Sequence, residues 1–262
     1  SEADLVIGSG SAQATLKLIH PGTLTVCSEA SYPPFENTVD GKMVGFDIDI
    51  AQGVADQIGK GTTVTSVATE FNSIESGAAL DTGACDLLAS ALSITPAREA
   101  KFDFSDPYYQ ADTGILVMDP SLTSAAALKG KKVACQIGTT GMTWAKDQGL
   151  DVVEFANLGM QVQSMKQGDV QAVINDSEVL TPFVGQDSMR IGFTVTGDKF
   201  GLGIAKGNDA LREVANQAIA QMRADGRYDQ LIKKWFVDAS ASPTAGDTAE
   251  NGSAAPVSSP SN

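Results

Sequence analysis

Positive charge is scarce in this chain. Eighteen Lys and Arg stand against 32 Asp and Glu, a net charge of −14 over 262 residues. That balance excludes a nucleic-acid partner, which needs a basic footprint, and disfavours docking on anionic lipid; it leaves cationic guests as the natural class. Histidine is nearly absent: His20 stands alone, so neither a histidine-based triad nor a catalytic metal centre is expected, and no cofactor. The three cysteines, Cys27, Cys85 and Cys135, are odd in number and show no CxxC spacing. They read as small buried hydrophobes rather than a disulfide framework or a zinc site. No apolar run approaches the roughly 18–20 residues that span a bilayer. The opening SEADLVIGSG has neither the basic region nor the apolar run of a signal peptide. A mature chain stripped of its targeting segment would begin so, and so would a cytosolic protein.

Hydrophobic residues are plentiful at 42%, ample for a core, and the length fits two domains or one large one. Between residues 46 and 59 Ile50, Val54 and Ile58 recur every four positions, one face of a helix. A β-branched run over 62–69 predicts a strand, 72–80 a helix and 85–92 a buried strand. Strand, helix, strand, helix, strand is the order of a parallel α/β sheet, and after Pro120 the same order restarts over 124–176. Asn208 caps the clearest helix, whose face is Leu211, Val214, Ala215, Ala218, Ile219 and Met222. From Asp238 the chain is Ala, Ser, Pro, Gly, Thr and acids, the composition of a disordered tail.

The most informative stretch is SALSITPAREAKFDFSD, 90–106. Thr95-Pro96 opens a helix, with Thr as N-cap and Pro at the first helical position. Arg98 follows two residues on, a cation where the macrodipole favours an anion. A docked carboxylate would remove that mismatch, with free N–H groups and the planar guanidinium to receive it and Ser90 and Ser93 beside it. The alternative is a surface Arg paired with Glu99 or Asp103.

Six motifs in order, SEASYPPFE, GFDIDIA, ALSITPAR, KFDFSDPYY, GTTG and ALREVANQAIAQMRADGRYDQLIKKWF, together resemble the periplasmic amino-acid-binding proteins of ABC importers over about residues 22–237. The resemblance is to the branch that takes arginine, lysine, ornithine or histidine. It implies an α/β, two-lobed type II periplasmic-binding-protein fold with two crossover hinge strands, near Thr113–Met118 and Lys199–Gly203, closing around the ligand. Residues 1–21 would be an N-terminal extension, 22–113 and 204–238 lobe 1, 114–203 lobe 2 and 239–262 the tail. By position, Arg98 takes the ligand's α-carboxylate, helped by Thr140 and the backbone near Ser93. Asp176 takes the α-ammonium with Ser90 near it. Glu29, Tyr32 and Phe71 line the side-chain pocket, and Ala91, Gln136 and Thr139 complete the ligand-binding set. The partners implied are a small-molecule amino acid and the transmembrane subunits of an ABC permease, with the chain a monomer, periplasmic or lipid-anchored at the cell surface. Read without the resemblance, Glu29 is an exposed loop acid, Tyr32 packs its loop, Phe71 is core, Thr140 is an N-cap and Asp176 caps a helix. Ala91 and Gly141 depart from residues common in relatives. The competing readings are a cyclohexadienyl or arogenate dehydratase-like enzyme on the same fold, a binder of a neutral polar amino acid such as glutamine, and a sensor domain.

Overall fold

The structure, a computed structural model, describes residues 5–7 and 14–237; the tail read at 239–262 and residues 1–4 and 8–13 of the extension lie outside the described residues. The chain begins with an antiparallel pair, β1 (Leu5–Ile7) and β2 (Ala14–Leu16). β3 (Thr23–Ser28) is followed by β4 (Ser31–Tyr32), β5 (Glu36–Val39) and β6 (Lys42–Val44), which form a small antiparallel sheet. Next come α1 (Phe46–Ile58), β7 (Thr63–Ala68), α2 (Phe71–Glu75), α3 (Ala78–Asp81) and β8 (Leu87–Leu88). α4 (Pro96–Glu99), β9 (Asp103–Phe104) and β10 (Tyr109–Gln110) close this part. Then follow β11 (Thr113–Val117), β12 (Lys132–Gln136), α5 (Thr140–Asp147), β13 (Asp151–Phe155), α6 (Leu158–Lys166), β14 (Ala172–Asp176), α7 (Ser177–Leu180) and β15 (Arg190–Val195). The chain returns through β16 (Lys199–Phe200) and β17 (Gly203–Ile204) to α8 (Asp209–Ala224) and α9 (Arg227–Ile232).

These elements make two compact units. Among the described residues, those up to Tyr109 together with Lys199–Val237 form the first, and Gln110–Asp198 the second. The first unit's main sheet runs β7-β3-β8-β17-β9, with β3 parallel to β7 and β8, and β17 antiparallel to β8 and β9. The second runs β13-β12-β14-β11-β15, with β12 parallel to β13 and β14, and β11 antiparallel to β14 and β15. Both sheets therefore place the first parallel strand between the other two and finish with two antiparallel pairings. Parallel strands need a crossover, which the intervening helices supply.

Apolar periodicity decides the long helices. α1 buries Phe46, Ile50, Val54 and Ile58, and α8 buries the Leu211 to Met222 face. Gly53 lets the two approach: a Cβ there would lie 2.4 Å from the Met222 sulfur. The Asn208 side chain caps α8 by accepting from Leu211 N at 3.4 Å.

Three expectations are corrected. The helix expected over 72–80 is two short helices, because Gly77 between them sits at φ +80°. The strand expected over 85–92 survives only as β8. Beyond it Ala91 adopts φ +45°, and its N–H donates to the Asp47 carboxylate at 2.6 Å instead of to a neighbouring strand. Cys27 and Cys85 are not free hydrophobes but a disulfide, with Cα atoms 5.8 Å apart. The parallel pairing of β3 with β8, Cys27 opposite Leu88, brings Cys85 within bonding range of a residue 58 positions earlier. Cys135 is free and buried, and burial pushes its thiol up to about 12.

Candidate functional site

The first unit holds seven of the expected residues: Glu29, Tyr32, Phe71, Ser90, Ala91, Ser93 and Arg98. Arg98 is 4% exposed, so the surface-Arg alternative fails. Its Nη1 donates to Ser93 O at 2.7 Å, and its Nε lies 3.7 Å from the Glu75 carboxylate, not from Glu99 or Asp103. Asp103 pairs instead with Lys206. The guanidinium stacks over the Phe71 ring, 5.6 Å from its centroid, while that ring packs into the core with Cys27, Ile74 and Phe102. Phe71 is thus both core and the platform that orients Arg98. The helix-terminus part of the carboxylate socket is corrected. α4 is a single turn, so Arg98 stands in its last turn as well as its first. Its own N–H is taken by Thr95 Oγ1 at 3.2 Å. The burden of anion recognition falls on the guanidinium.

Glu29 directly follows β3 and is 7% exposed, not a loop acid in water. Its N–H donates to Ser90 Oγ at 3.1 Å, which ties the Glu29 and Ser90 segments together. Tyr32 is buried on β4, 6.3 Å from Phe35. Phe35 anchors the Pro33-Pro34 loop by edge contacts to Phe46, Tyr109 and Phe200. Ser93 is held by a bridge to Phe200.

Sequence reasoning missed the acids behind this loop. Ser90 Oγ donates to Glu36 Oε1 at 2.6 Å, and Asp47 accepts from Ala91 N and from Tyr108 Oη at 2.5 Å. Burial, then the neighbouring Asp47, holds the Glu36 carboxyl well above its ordinary range, and burial raises Asp47 too. The signal available was an acid placed inside each of two apolar motifs, PPFE and GFDI.

The second unit holds Gln136, Thr139, Thr140 and Asp176. The cap of α5 is Thr139, which accepts from Met142 N at 3.2 Å and donates to Gln136 O at 2.7 Å; Thr140 is the first helical residue. Asp176 stands at the N-cap position of α7 but makes no capping hydrogen bond. Beneath it lies an amide network not foreseen. Asn175 Nδ2 donates to Gln136 Oε1 and Gln161 Oε1, Asn175 Oδ1 accepts from Asp176 N, and Gln161 Nε2 donates to Ala134 O and Ile174 O. The network locks the ends of β12 and β14, from which Gln136 and Asp176 project. Gly141 is closely packed: a Cβ there would lie 3.1 Å from Ile174 Cγ2, so that side chain would have to shift to admit a larger residue.

A cavity of about 600 Å³ in the first unit, lined by Lys42, Ile48, Asp49, Gln52, Thr65 and Lys234, contains none of these residues. Among the described residues no helix is long and apolar enough to cross a membrane, and no cluster of His, Cys, Asp or Glu is suited to a metal.

The chain is 32% identical over 231 residues to an L-cystine-binding protein of Escherichia coli, covering 84% of this chain and 85% of that protein. It is 32% identical over 249 residues to the histidine-binding periplasmic protein of Salmonella typhimurium, covering 88% and 94%. An ancestral arginine-binding protein solved with arginine bound superposes with TM-score 0.76 at 37% identity, covering 82% of this chain and 98% of that one. An ancestral amino-acid-binding protein, a precursor of cyclohexadienyl dehydratase, superposes with TM-score 0.74 at 36% identity, covering 82% and 95%. Residues 24–238 match one family profile throughout, and on that span the chain belongs to the bacterial extracellular solute-binding proteins, family 3.

Proposed function

We propose that this chain is the extracytoplasmic substrate-binding component of an ABC amino-acid importer and takes a basic L-amino acid, arginine, lysine or ornithine. The observation that carries this reading is the burial of opposite charges in one unit: Arg98, stacked over the Phe71 ring, and Glu29. The planar guanidinium of Arg98 matches a carboxylate, and the Glu29 carboxylate matches a guanidinium or ammonium. Asp176 receives the α-ammonium from the second unit. A zwitterion held by Arg98 at one end and Asp176 at the other couples binding to closure of the two units, about the segments where the chain crosses at 109–110 and 198–199. Tyr32 and Phe71 add cation–π contact worth about 1–2 kcal/mol each when desolvated. The names of the relatives, histidine- and arginine-binding among them, support a cationic guest. The Cys27–Cys85 bond supports an oxidising compartment outside the cytoplasm. Delivery to a membrane permease follows from this reading, with no chemistry on the guest.

Thermal-shift screening of the twenty amino acids plus ornithine tests it, because ligand at 100 times its Kd stabilises the native state by about 2.7 kcal/mol. Arginine, lysine or ornithine is expected to give the largest rise. A rise with glutamine or cystine alone would replace the basic guest, and turnover of prephenate or arogenate would replace the transport role. Glu29→Gln sharpens the choice. Arginine affinity is expected to fall about 30- to 300-fold, as for one partner removed from a buried charge pair, while glutamine affinity changes less than about threefold. Calorimetry finding equal losses for both would take Glu29 out of the specificity pocket.

A further inference from the structure

The acids behind the Ser90–Ala91 turn have no role in the reading above. Glu36 on β5 and Asp47 on α1 are both 0% exposed. Asp47 is supplied with donors: Ala91 N at 2.6 Å and Tyr108 Oη at 2.5 Å. Glu36 is not. Its Oε1 accepts from Ser90 Oγ at 2.6 Å, but its Oε2, fully buried, meets no N–H or O–H donor. The other charged groups acting on Glu36 are both acids, Asp47 and Glu29. Each of the two carboxyls acts on the other. Two neighbouring buried carboxyl groups, only one of them supplied with donors on both sides, are costly as a pair of anions, and a proton on one of them removes that cost. A proton on Glu36 Oε2, donated to Asp47, satisfies the orphaned oxygen and relieves the repulsion at once.

We propose that Glu36 and Asp47 hold one proton between them at neutral pH, and that this acid–carboxylate pair is a positioning device that fixes the Ser90–Ala91 turn. The hydrogen bonds made to the pair fit the assignment. Ser90 donates to the acid from one side, and Ala91 N and Tyr108 Oη donate to the carboxylate from the other. Tyr108 is itself held from α9, where Tyr228 Oη donates to Tyr108 O. Glu29 approaches from the end of β3, tethered through its N–H to the same Ser90 hydroxyl. Ala91 needs such a restraint, because a non-glycine residue at φ +45° keeps that conformation only where its surroundings over-determine it. The proposal rests on the amino-acid reading only in making this turn part of a binding site; the proton itself does not depend on it.

The sign of the pH effect follows. An unfolded Glu loses its proton in the ordinary carboxylate range, whereas the folded pair keeps one. The native state then binds more protons than the unfolded state, so stability falls as pH rises above that range and levels off once the pair ionises. Chemical unfolding of the native chain and of Glu36→Gln, between about pH 5 and pH 8, reads this directly. The native chain's unfolding constant is expected to rise about tenfold per pH unit relative to the variant, one proton's worth. The Ala91 amide resonance is expected to shift where the pair titrates in the native chain and to stay still in Glu36→Gln. Parallel stability curves, or an Ala91 amide that ignores the titration, would overturn the assignment. Should Glu36→Gln fail to fold, infrared spectroscopy of the native chain decides: a protonated-carboxyl band persisting at about pH 7 supports the pair, and none at that pH removes it. None of these readouts uses a ligand, so they fail or succeed independently of what the protein binds.

Discussion

Arg98→Ala is expected to cut affinity for the cognate amino acid about 100- to 1,000-fold, some 3–4 kcal/mol, the scale for removing one member of a buried charge pair. Unlike a surface substitution it also costs stability. Arg98 ties Ser93 O to the Glu75 carboxylate and rests on Phe71, so truncation leaves Glu75, only 18% exposed, without its cation and opens space against the ring. A further loss of about 1–3 kcal/mol in unfolding free energy is expected from that. The two effects separate by measurement: calorimetry reads the guest, and denaturant unfolding without ligand reads the fold. Arg98→Lys keeps the charge but not the planar fork, so it is expected to recover stability more fully than affinity. A variant that is destabilised yet binds arginine unchanged would make Arg98 a structural pin and remove it from the site.

The second large effect is expected from the Cys27–Cys85 bond. It closes a loop of 58 residues, for which restraint of the unfolded chain is worth about 2–4 kcal/mol. Replacing both cysteines by alanine is expected to lower the melting temperature by roughly 5–15 °C, and reductant is expected to lower the native chain toward the variant while leaving the variant where it is. The bond joins β3 to the entry of β8, the centre of the first unit's sheet and the wall from which Glu29 and Ser90 extend, so ligand affinity is expected to weaken along with stability. A melting temperature indifferent to both reductant and substitution would deny the bond any part in the fold.

These expectations show where reading the chain stops. α1 and α8 were legible to within a residue or so, because a buried helical face writes its period into the sequence. The break at Gly77 was not, since the left-handed turn there is settled by packing around Phe102, 25 positions on. Nor was the end of β8, where the Ala91 amide finds its acceptor in a side chain 44 residues earlier. The disulfide was hidden for the same reason: it follows from the register of two strands, and cysteine count and spacing do not encode register. Arg98 stands out in the sequence as an unusual cation, but its ion-pair partner lies on α2 and not at its sequence neighbours Glu99 and Asp103. Glu36 and Asp47 passed unnoticed because an isolated acid reads as a surface residue; only the fold withdraws them from water.

The order of strands in the first unit also bears on how the polypeptide is made. β17, residues 203–204, lies between β8 and β9, and β9 finds its place in that sheet through β17 alone. A chain emerging N-terminus first therefore cannot finish that sheet until the whole of the second unit has emerged, whereas the second unit has all its described strands by residue 195. Vectorial synthesis thus favours completion of the inserted half first, with the half bearing Arg98 and Glu29 exposed longest to misfolding and most in need of protection until α8 arrives.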